Sequence, residues 1–214
     1  MMARLDTAAR SNVTMWKSPW AKRAVFVACL APMAWLAYRW INNDLGINSI
    51  EFVARYTGRW TLRLLLVTLA ITPLRWIPGL SPLILFRRMV GLFAFFYGLF
   101  HGVHYFARDA QWNWEVIVED LTYRRFFIAG AVALLLMAPL AATSFDAAIR
   151  WLGGKKWQWL HRLIYLSALA AIIHYLWQGK SLTLTPLIYL AVLVLLMTAR
   201  AVAWMVGKRK RSRA

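Results

Sequence analysis

The sequence has a single cysteine, Cys29, among its 214 residues. Disulfide bonds within the chain are therefore excluded. A cysteine-ligated iron–sulfur cluster is excluded as well, and so is a covalently attached haem, which needs a Cys-x-x-Cys-His motif. Any haem must therefore be bound non-covalently.

Acidic residues are also scarce, eight against 26 lysines and arginines, and all eight fall in predicted loops or at the ends of apolar runs. A proton-coupled transporter needs an acid at membrane depth, and a divalent-metal transporter needs carboxylates or thiols beside its histidines. Both classes are disfavoured. The net charge of +18 would indicate nucleic acid as the partner of a soluble protein, but basic loops beside a lipid bilayer explain it better here.

Apolar runs dominate what the sequence does contain, and 61% of its residues are hydrophobic. A helix needs about 20 mostly apolar residues to cross the hydrocarbon core of a membrane, and runs of that length recur. We therefore predict an all-α, polytopic membrane protein, a six-transmembrane-helix bundle. The predicted spans are about 24–41, 60–77, 89–107, 126–145, 157–178 and 182–206.

The remaining segments complete the predicted organisation. Residues 1–23 form a basic N-terminal segment before a retained first helix, residues 24–206 form the transmembrane domain, and residues 207–214 form a basic tail. Residues 47–59 are expected to lie at the membrane interface. The stretches 108–125 and 146–156 are expected to be loops.

The basic residues indicate the orientation of the bundle. Sixteen lysines and arginines fall in one set of predicted loops, together with both termini, and six fall in the opposite set. Because cytoplasmic loops carry the excess of positive charge, both termini are expected in the cytoplasm. Six acids then lie outside, either as a solvated surface or as a match for a partner of complementary charge.

All four histidines lie in two predicted spans, His101 and His104 in the third, His161 and His174 in the fifth. A polar residue inside a membrane span is costly and usually functional. Neutral imidazole is a good iron ligand, and histidines on facing helices commonly hold haem. Haem ligation is one interpretation. The other is a scaffold whose histidines only form hydrogen bonds between helices.

Helical rise predicts which histidines could meet. At about 1.5 Å per residue, His101 and His174 both lie about 10 Å below the outer boundary, so they could ligate one haem from opposite sides. His161 lies roughly 20 Å from His174 along the axis and could serve a second, inner haem. An ideal helix separates these two by about 140°, so they share a face only if the helix bulges. His104, closer to the outside, could substitute as a ligand or bind a propionate.

Arginines stand where an inner haem would need its second ligand. Arg87 and Arg88 lie at the depth of His161, and Arg75 ends the second span nearby. Arginine stays protonated and cannot ligate iron, but it suits a haem propionate or a flavin phosphate. The three are expected to hold such an anion, unless they are only the basic loop that the cytoplasmic side requires.

Four stretches of the chain resemble one family of membrane proteins. They are YTGRWTLRLLLVTLAITPLR (56–75), RRMVGLFAFFYGLFHGVHY (87–105), PLAATS (139–144) and WLHRLIYLSALAAIIHYLW (159–177). In combination they resemble the MsrQ family, formerly YedZ, of haem-binding membrane subunits of bacterial methionine sulfoxide reductase systems. They are also distantly similar to the transmembrane domains of ferric reductases and NADPH oxidases.

The resemblance implies a six-helix, multi-pass protein of the bacterial inner membrane with one or two b-type haems, and with FMN as a further cofactor to consider. It implies that His101, His161 and His174 are the haem iron ligands. It also implies that electrons pass from quinol to a periplasmic molybdenum-containing reductase, MsrP, which repairs oxidised methionine.

Two features depart from the distant oxidases. No histidine stands near Arg87 or Arg88, and the 214 residues are expected to contain no FAD/NADPH domain. Reducing equivalents are therefore expected from a quinol or a separate flavin reductase, with the protein as a non-catalytic subunit. A ferric-reductase-like oxidoreductase acting on metal or small molecules is the alternative.

Overall fold

The computed structural model describes residues 16, 18–179 and 183–211, and the regular secondary structure in these ranges is helical. A short 3-10 helix, Ser81–Phe86, and a π-helical turn, Tyr105–Asp109, flank the third long helix. The α-helices of the described residues are α1 (Pro19–Ile41), α2 (Ser49–Leu74), α3 (Arg87–His104), α4 (Trp114–Tyr123), α5 (Arg125–Ala142), α6 (Asp146–Leu152), α7 (Gly154–Leu160), α8 (Leu163–Gln178) and α9 (Leu184–Arg211).

Two closely packed helix pairs, α2 with α3 and α5 with α8, form the centre of the bundle. Contacts of α3 with α5 and of α2 with α8 join the pairs, while α9 covers α8 and α2 and α1 covers α3 and α2. Leu65, Ala94, Ala168 and Ile172 are fully buried there. Each pair therefore contributes one histidine-bearing helix, α3 or α8, to the centre.

Helix α2 contains most of the predicted interfacial segment 47–59, whose location at the membrane interface stays a prediction. Asn48 caps the helix by accepting a hydrogen bond from the N–H of Glu51 (3.2 Å), and no proline follows until Pro73. Most of the segment therefore continues without a break into the predicted second span. Among the described residues, five helical stretches are long and apolar enough to cross a membrane, and α2, which carries Glu51 and several arginines, is not one of them. A sixth span along α2 stays a prediction.

Both predicted loops contain helix. Within 108–125, α4 begins after Asn113, whose side chain accepts a hydrogen bond from the N–H of Glu115 (2.9 Å). Within 146–156, α6 ends at Leu152 and is followed by Gly153, whose φ of +75° suits glycine because it has no Cβ. These helices are seven to ten residues long, too short for the span-length pattern that guided the sequence prediction.

The predicted fifth span is divided into α7 and α8 by a turn at His161 and Arg162. The N–H of Arg162 bonds to the Trp159 carbonyl (3.1 Å), and the N–H of Tyr165 bonds to the Arg162 carbonyl (3.0 Å), three residues back instead of four. Such turns are wound more tightly than an α-helix. The angle expected between His161 and His174 on one ideal helix therefore does not apply.

The first helix starts earlier than the predicted first span. Helix α1 begins at Pro19, after Ser18, whose hydroxyl accepts a hydrogen bond from the N–H of Trp20 (3.3 Å). Residues 1–15 and 212–214, which belong to the predicted basic end segments, lie outside the described residues. The cytoplasmic location of both termini stays a prediction from charge.

Tyrosine hydroxyl groups attach α1 to the central helices. Tyr97 on α3 accepts a hydrogen bond from the N–H of Met33 (2.8 Å) and donates one to the carbonyl of Cys29 (2.9 Å). These two backbone groups would bond to each other in an undisturbed helix, so the hydroxyl is inserted into the hydrogen-bond ladder of α1. Tyr56 on α2 donates to the Pro32 carbonyl (3.0 Å).

Replacing Tyr97 with phenylalanine is expected to lower the free energy of unfolding by about 1 kcal/mol, the usual net value of one such hydrogen bond. The loss should appear as an earlier midpoint in thermal unfolding of the purified protein. Tyr38→Phe is the matched control, because Tyr38 lies on α1 but is 66% exposed. Equal midpoints for the two variants would contradict the insertion.

Candidate functional site

His101 lies on α3 and is held by groups of α2. Its Nδ1 is 3.0 Å from the carbonyl oxygen of Ala54 and 3.4 Å from the hydroxyl of Thr57. Thr57 is fully buried and donates its own hydrogen to the Val53 carbonyl (2.7 Å). A Cβ at Gly58 would lie 3.2 Å from the imidazole ring. The missing side chain therefore lets the ring lie against the backbone of α2.

His174 lies on α8 and is held in the same way by α5. Its Nδ1 is 2.7 Å from the carbonyl oxygen of Phe126, and a Cβ at Gly130 would lie 2.7 Å from that nitrogen. In both cases the carbonyl residue precedes the glycine by four positions, as Ala54 precedes Gly58. Each central pair thus places a histidine against a carbonyl and against a glycine one helical turn further on.

The two histidine rings are neighbours at the centre of the bundle, with centroids 6.1 Å apart and planes at 79°. A carbonyl oxygen only accepts hydrogen bonds, so Nδ1 of His101 and of His174 is the protonated nitrogen, and Nε2 carries the lone pair. An Nδ1–H bonded to a backbone carbonyl is a common way to orient a metal-bound histidine. The pair therefore has the tautomer and the support of metal ligands.

A metal ion between these rings would need further ligands from a cofactor. The described ranges contain no group of three or more histidine, cysteine or acidic side chains that could hold an ion alone. An imidazole nitrogen binds a first-row metal at about 2 Å, so two rings with centroids 6.1 Å apart are close enough to bind one ion. Two imidazoles suit the iron of a haem, whose porphyrin supplies the other ligands.

His161 lies at the opposite end of the bundle and does not meet another histidine in the described part of the chain. Its ring stacks on Trp157, with centroids 3.9 Å apart, and its Nε2 is 3.1 Å from the hydroxyl of Thr143. Thr143 donates to the Pro139 carbonyl (2.7 Å), so Nε2 of His161 is the donor to Thr143. Its tautomer is opposite to that of the central pair.

His104, the predicted secondary haem contact, lies one turn beyond His101 and outside the central pair. Its ring is 6% exposed and packs near Phe100. Its Nδ1 has no hydrogen-bond partner among the described residues, and Oδ2 of Asp109 is 3.9 Å away, beyond hydrogen-bonding distance. His104 also lines a cavity at one end of the bundle. This end, which includes the α1–α2 connection and α4, is named the outer end.

The three arginines predicted to hold a cofactor anion lie at the inner end and differ in their partners. Arg88 forms an ion pair with Asp146 (2.7 Å), and its hydrogen bond and charge hold the pKa of that carboxyl below the usual range. The positive charge of Arg88 is therefore already neutralised by Asp146. Arg87 is half-buried and reaches the Thr72 hydroxyl (3.4 Å), without an ion pair in the described part. Arg75 ends α2 and is exposed.

Arg200 on α9 is a functional candidate that the sequence prediction did not include. It donates to the Tyr165 hydroxyl and to the Leu69 carbonyl, while its Nε is buried without a partner among the described residues. Its charge is within electrostatic range of Arg87. An arginine inside the predicted sixth span was the available signal, because a charge at membrane depth is costly and usually functional.

The chain matches known proteins along most of its length. Residues 57–172 match the family described as ferric reductase like transmembrane component. The protein-methionine-sulfoxide reductase heme-binding subunit MsrQ of Polaromonas naphthalenivorans is 43% identical over 181 residues, 84% of this chain and 83% of that protein. The MsrQ subunit of Rhodospirillum rubrum is 44% identical over 191 residues, 89% of this chain and 91% of that protein. This chain belongs to the MsrQ family.

Membership of the MsrQ family agrees with the helical architecture, since the matching ferric reductase like family is a transmembrane one. With five helical stretches of spanning length and composition, the chain is a multi-pass membrane protein. The family match begins at Thr57, which contacts His101, and ends at Ile172, two residues before His174. It therefore includes most of both central helix pairs.

In this MsrQ family member, nitrogen NMR of labelled histidine is expected to find Nδ1-protonated rings at His101 and His174 and an Nε2-protonated ring at His161 when no metal is bound. Gly130→Ala should alter the His174 signal, because the added Cβ would lie 2.7 Å from its Nδ1. Gly91→Ala on α3 is the control, since its Cβ would meet a threonine methyl at an ordinary 3.4 Å. An unchanged His174 signal in Gly130→Ala would contradict this close approach.

Proposed function

We propose that this protein is an electron-transfer subunit that passes electrons through a b-type haem to a methionine sulfoxide reductase. The observation that carries the proposal is the central pair of Nδ1-protonated histidines, His101 and His174, with ring centroids 6.1 Å apart. These residues would hold the haem iron. When bound, the haem supplies one-electron chemistry, and the helices supply orientation and an apolar environment.

The names of the relatives support both the cofactor and the partner. The Polaromonas and Rhodospirillum proteins are named heme-binding subunits of a protein-methionine-sulfoxide reductase. The partner that we propose is a periplasmic, molybdenum-containing reductase of the MsrP type, and the membrane is the bacterial inner membrane. Acids at the outer end, among them Asp44, Asp109 and Glu115, would attract a partner with a basic surface.

Electrons would enter from a quinol or from a flavin on the cytoplasmic side. His161 is the ligand that we propose for a second, inner haem, and binding at its Nε2 would replace the hydrogen bond to Thr143. Arg87 and Arg200 offer the positive charge for a propionate or an FMN phosphate at that end. Arg88 is less available, because its charge is matched by an acid.

A ferric-reductase-like oxidoreductase acting on metal or small molecules is the second candidate. The match of residues 57–172 to the ferric reductase like family favours it. Both functions need haem, so they differ in the electron acceptor. If the protein serves a sulfoxide reductase, haem in the reduced protein should be reoxidised rapidly by that reductase and slowly by ferric citrate. The reverse order of rates would favour the second candidate.

Replacing His101 or His174 with alanine is expected to abolish the low-spin spectrum of a bis-histidine haem, because either change removes one axial ligand. Absorption and electron paramagnetic resonance spectra of the purified protein measure this loss. His161→Ala is the control, since this histidine lies outside the central pair and its removal should leave that spectrum intact. A low-spin spectrum that survives in either central variant would remove that residue from the ligand set.

Arg87→Gln is expected to weaken FMN binding about tenfold, the effect of losing one charge-assisted hydrogen bond. Arg88→Gln is the matched control on the neighbouring position, because Arg88 is already paired with Asp146, and it should bind FMN normally. Quenching of FMN fluorescence during titration of the purified protein measures the affinity. Equal affinities in wild type and Arg87→Gln would exclude Arg87 from an FMN site.

A further inference from the structure

Three arginines follow one another at four-residue intervals on α2. Because residues four apart on a helix lie on the same face, Arg55, Arg59 and Arg63 form one arginine stripe. Like charges at this spacing repel each other. The stripe is therefore stabilised by any negative charge that lies beside it.

The protein supplies only part of this negative charge. Glu51 forms an ion pair with Arg55, at the start of the stripe. Arg59 and Arg63 form no ion pair with any described residue. Within the described part of the chain, two of the three positive charges are therefore not neutralised.

The hydrogen bonds of these two arginines leave their terminal nitrogens unused. Nε of Arg59 donates to the carbonyl of Arg55 (3.2 Å), and Nε of Arg63 donates to the hydroxyl of Tyr189 on α9 (3.1 Å). The Nη groups of both have no hydrogen-bond partner among the described residues. The Arg63 side chain is exposed. Its free N–H donors can therefore reach a ligand at the surface of the bundle.

The stripe lies beside a helix that is long and apolar enough to cross a membrane. Residues of α2 contact α3 near both of its ends, at His101 and at Arg87, and α3 belongs to the spanning stretch Ser81–Asp109. Arg59 and Arg63 lie between these two contacts along α2. A charge at such a position is costly unless it is paired, so both arginines need an anion from outside the described chain.

The surroundings of the stripe are those of a lipid head group. The guanidinium carbon of Arg63 lies 4.9 Å from the centre of the Trp60 ring, which neighbours Tyr56, and Trp35 of α1 stacks on Tyr56 at 5.1 Å. Tryptophan and tyrosine are enriched where head groups meet hydrocarbon. One turn beyond Arg63, the apolar Val67 is 49% exposed. Along this face, a basic and aromatic surface is therefore followed by an apolar one.

We propose that Arg59 and Arg63 bind the phosphate of an anionic phospholipid. The planar guanidinium fork matches the geometry of phosphate, and basic pockets between membrane helices bind anionic head groups. The acyl chains would pack on exposed apolar side chains such as Val67 on α2 and Val192 on α9. A zwitterionic lipid is disfavoured, because its own cation would be repelled by the stripe. The inference does not depend on the proposed electron-transfer function.

The site adjoins the turn of α2 that supports the central histidine pair. Arg59 directly follows Gly58, and the His101 ring lies against Gly58. A bound anion reduces the repulsion within this part of the helix. Because a ligand that binds only the folded state stabilises it, anionic lipid is expected to raise the midpoint of thermal unfolding.

The test is retention of dioleoyl phosphatidylglycerol by the purified protein, measured by native mass spectrometry beside dioleoyl phosphatidylcholine at the same concentration. Wild type should retain the anionic lipid preferentially. Arg63→Gln should weaken its binding about tenfold and Arg59→Gln/Arg63→Gln about a hundredfold, since each change removes a charge-assisted hydrogen bond. Arg63 is exposed, so the single variant should fold even if the double variant does not.

Arg125→Gln is the control, because it removes the same charge from an exposed position at the start of α5 and should leave retention unchanged. Equal affinity for the anionic lipid in wild type and in the arginine-stripe variants would overturn the inference. Equal retention of the two lipids by wild type would also overturn it. Full competition by inorganic phosphate would indicate a site for free phosphate instead of lipid. A lower haem content in the double variant, with unchanged lipid retention, would assign the two arginines to a haem propionate and would equally overturn the inference.

Discussion

Two hydrogen bonds between imidazole and backbone determine how the centre of this protein is built. In each, the Nδ1–H of a histidine on one helix meets a carbonyl on the paired helix, Ala54 for His101 and Phe126 for His174. Polar groups in a membrane interior need internal partners, so these bonds select the ring tautomer and the alignment of each helix pair. Without a glycine four residues after each carbonyl, the rings could not lie so close to the backbone.

Charge is distributed unequally along the bundle axis. Of the acids in the described residues, six lie at the outer end, and the remaining one, Asp146, is paired with Arg88 at the inner end. Arg87 and Arg200 are left half-buried there without an ion pair in the described part. Hydrogen bonds to protein oxygens satisfy only some of the N–H donors of the Arg200 guanidinium group. The inner end is thus suited to an anionic group.

Helix α3 connects the two sites at the centre and the outer end. His101 faces groups of α2, and His104, one turn later, lines a cavity that α2 also borders. One turn is about 5 Å along the axis, so the cavity lies close to the central histidine pair. The π-helical turn after His104 ends the regular part of α3 at the cavity. The same short stretch of chain therefore reaches both the central histidine pair and the cavity.

The sequence by itself determined the helical class, the approximate position of most spans and the common depth of His101 and His174. Span length depends on hydrocarbon thickness, and depth depends on helical rise, and both can be counted along the chain. The same counting did not show that most of 47–59 forms one helix with the predicted second span, because charged residues interrupt the apolar pattern of α2 there. It also missed the turn that divides the fifth span.

Only the tertiary structure decided which groups support the histidines. Nothing in the sequence distinguishes Gly58 and Gly130 from the other glycines, because their role is contact with a ring from another helix. The tautomers of His161 and of the central pair differ for the same reason: each is set by an oxygen at least 18 residues away in the chain. Local pattern determines helices and their length, whereas hydrogen-bond partners between helices exist only after the helices have packed.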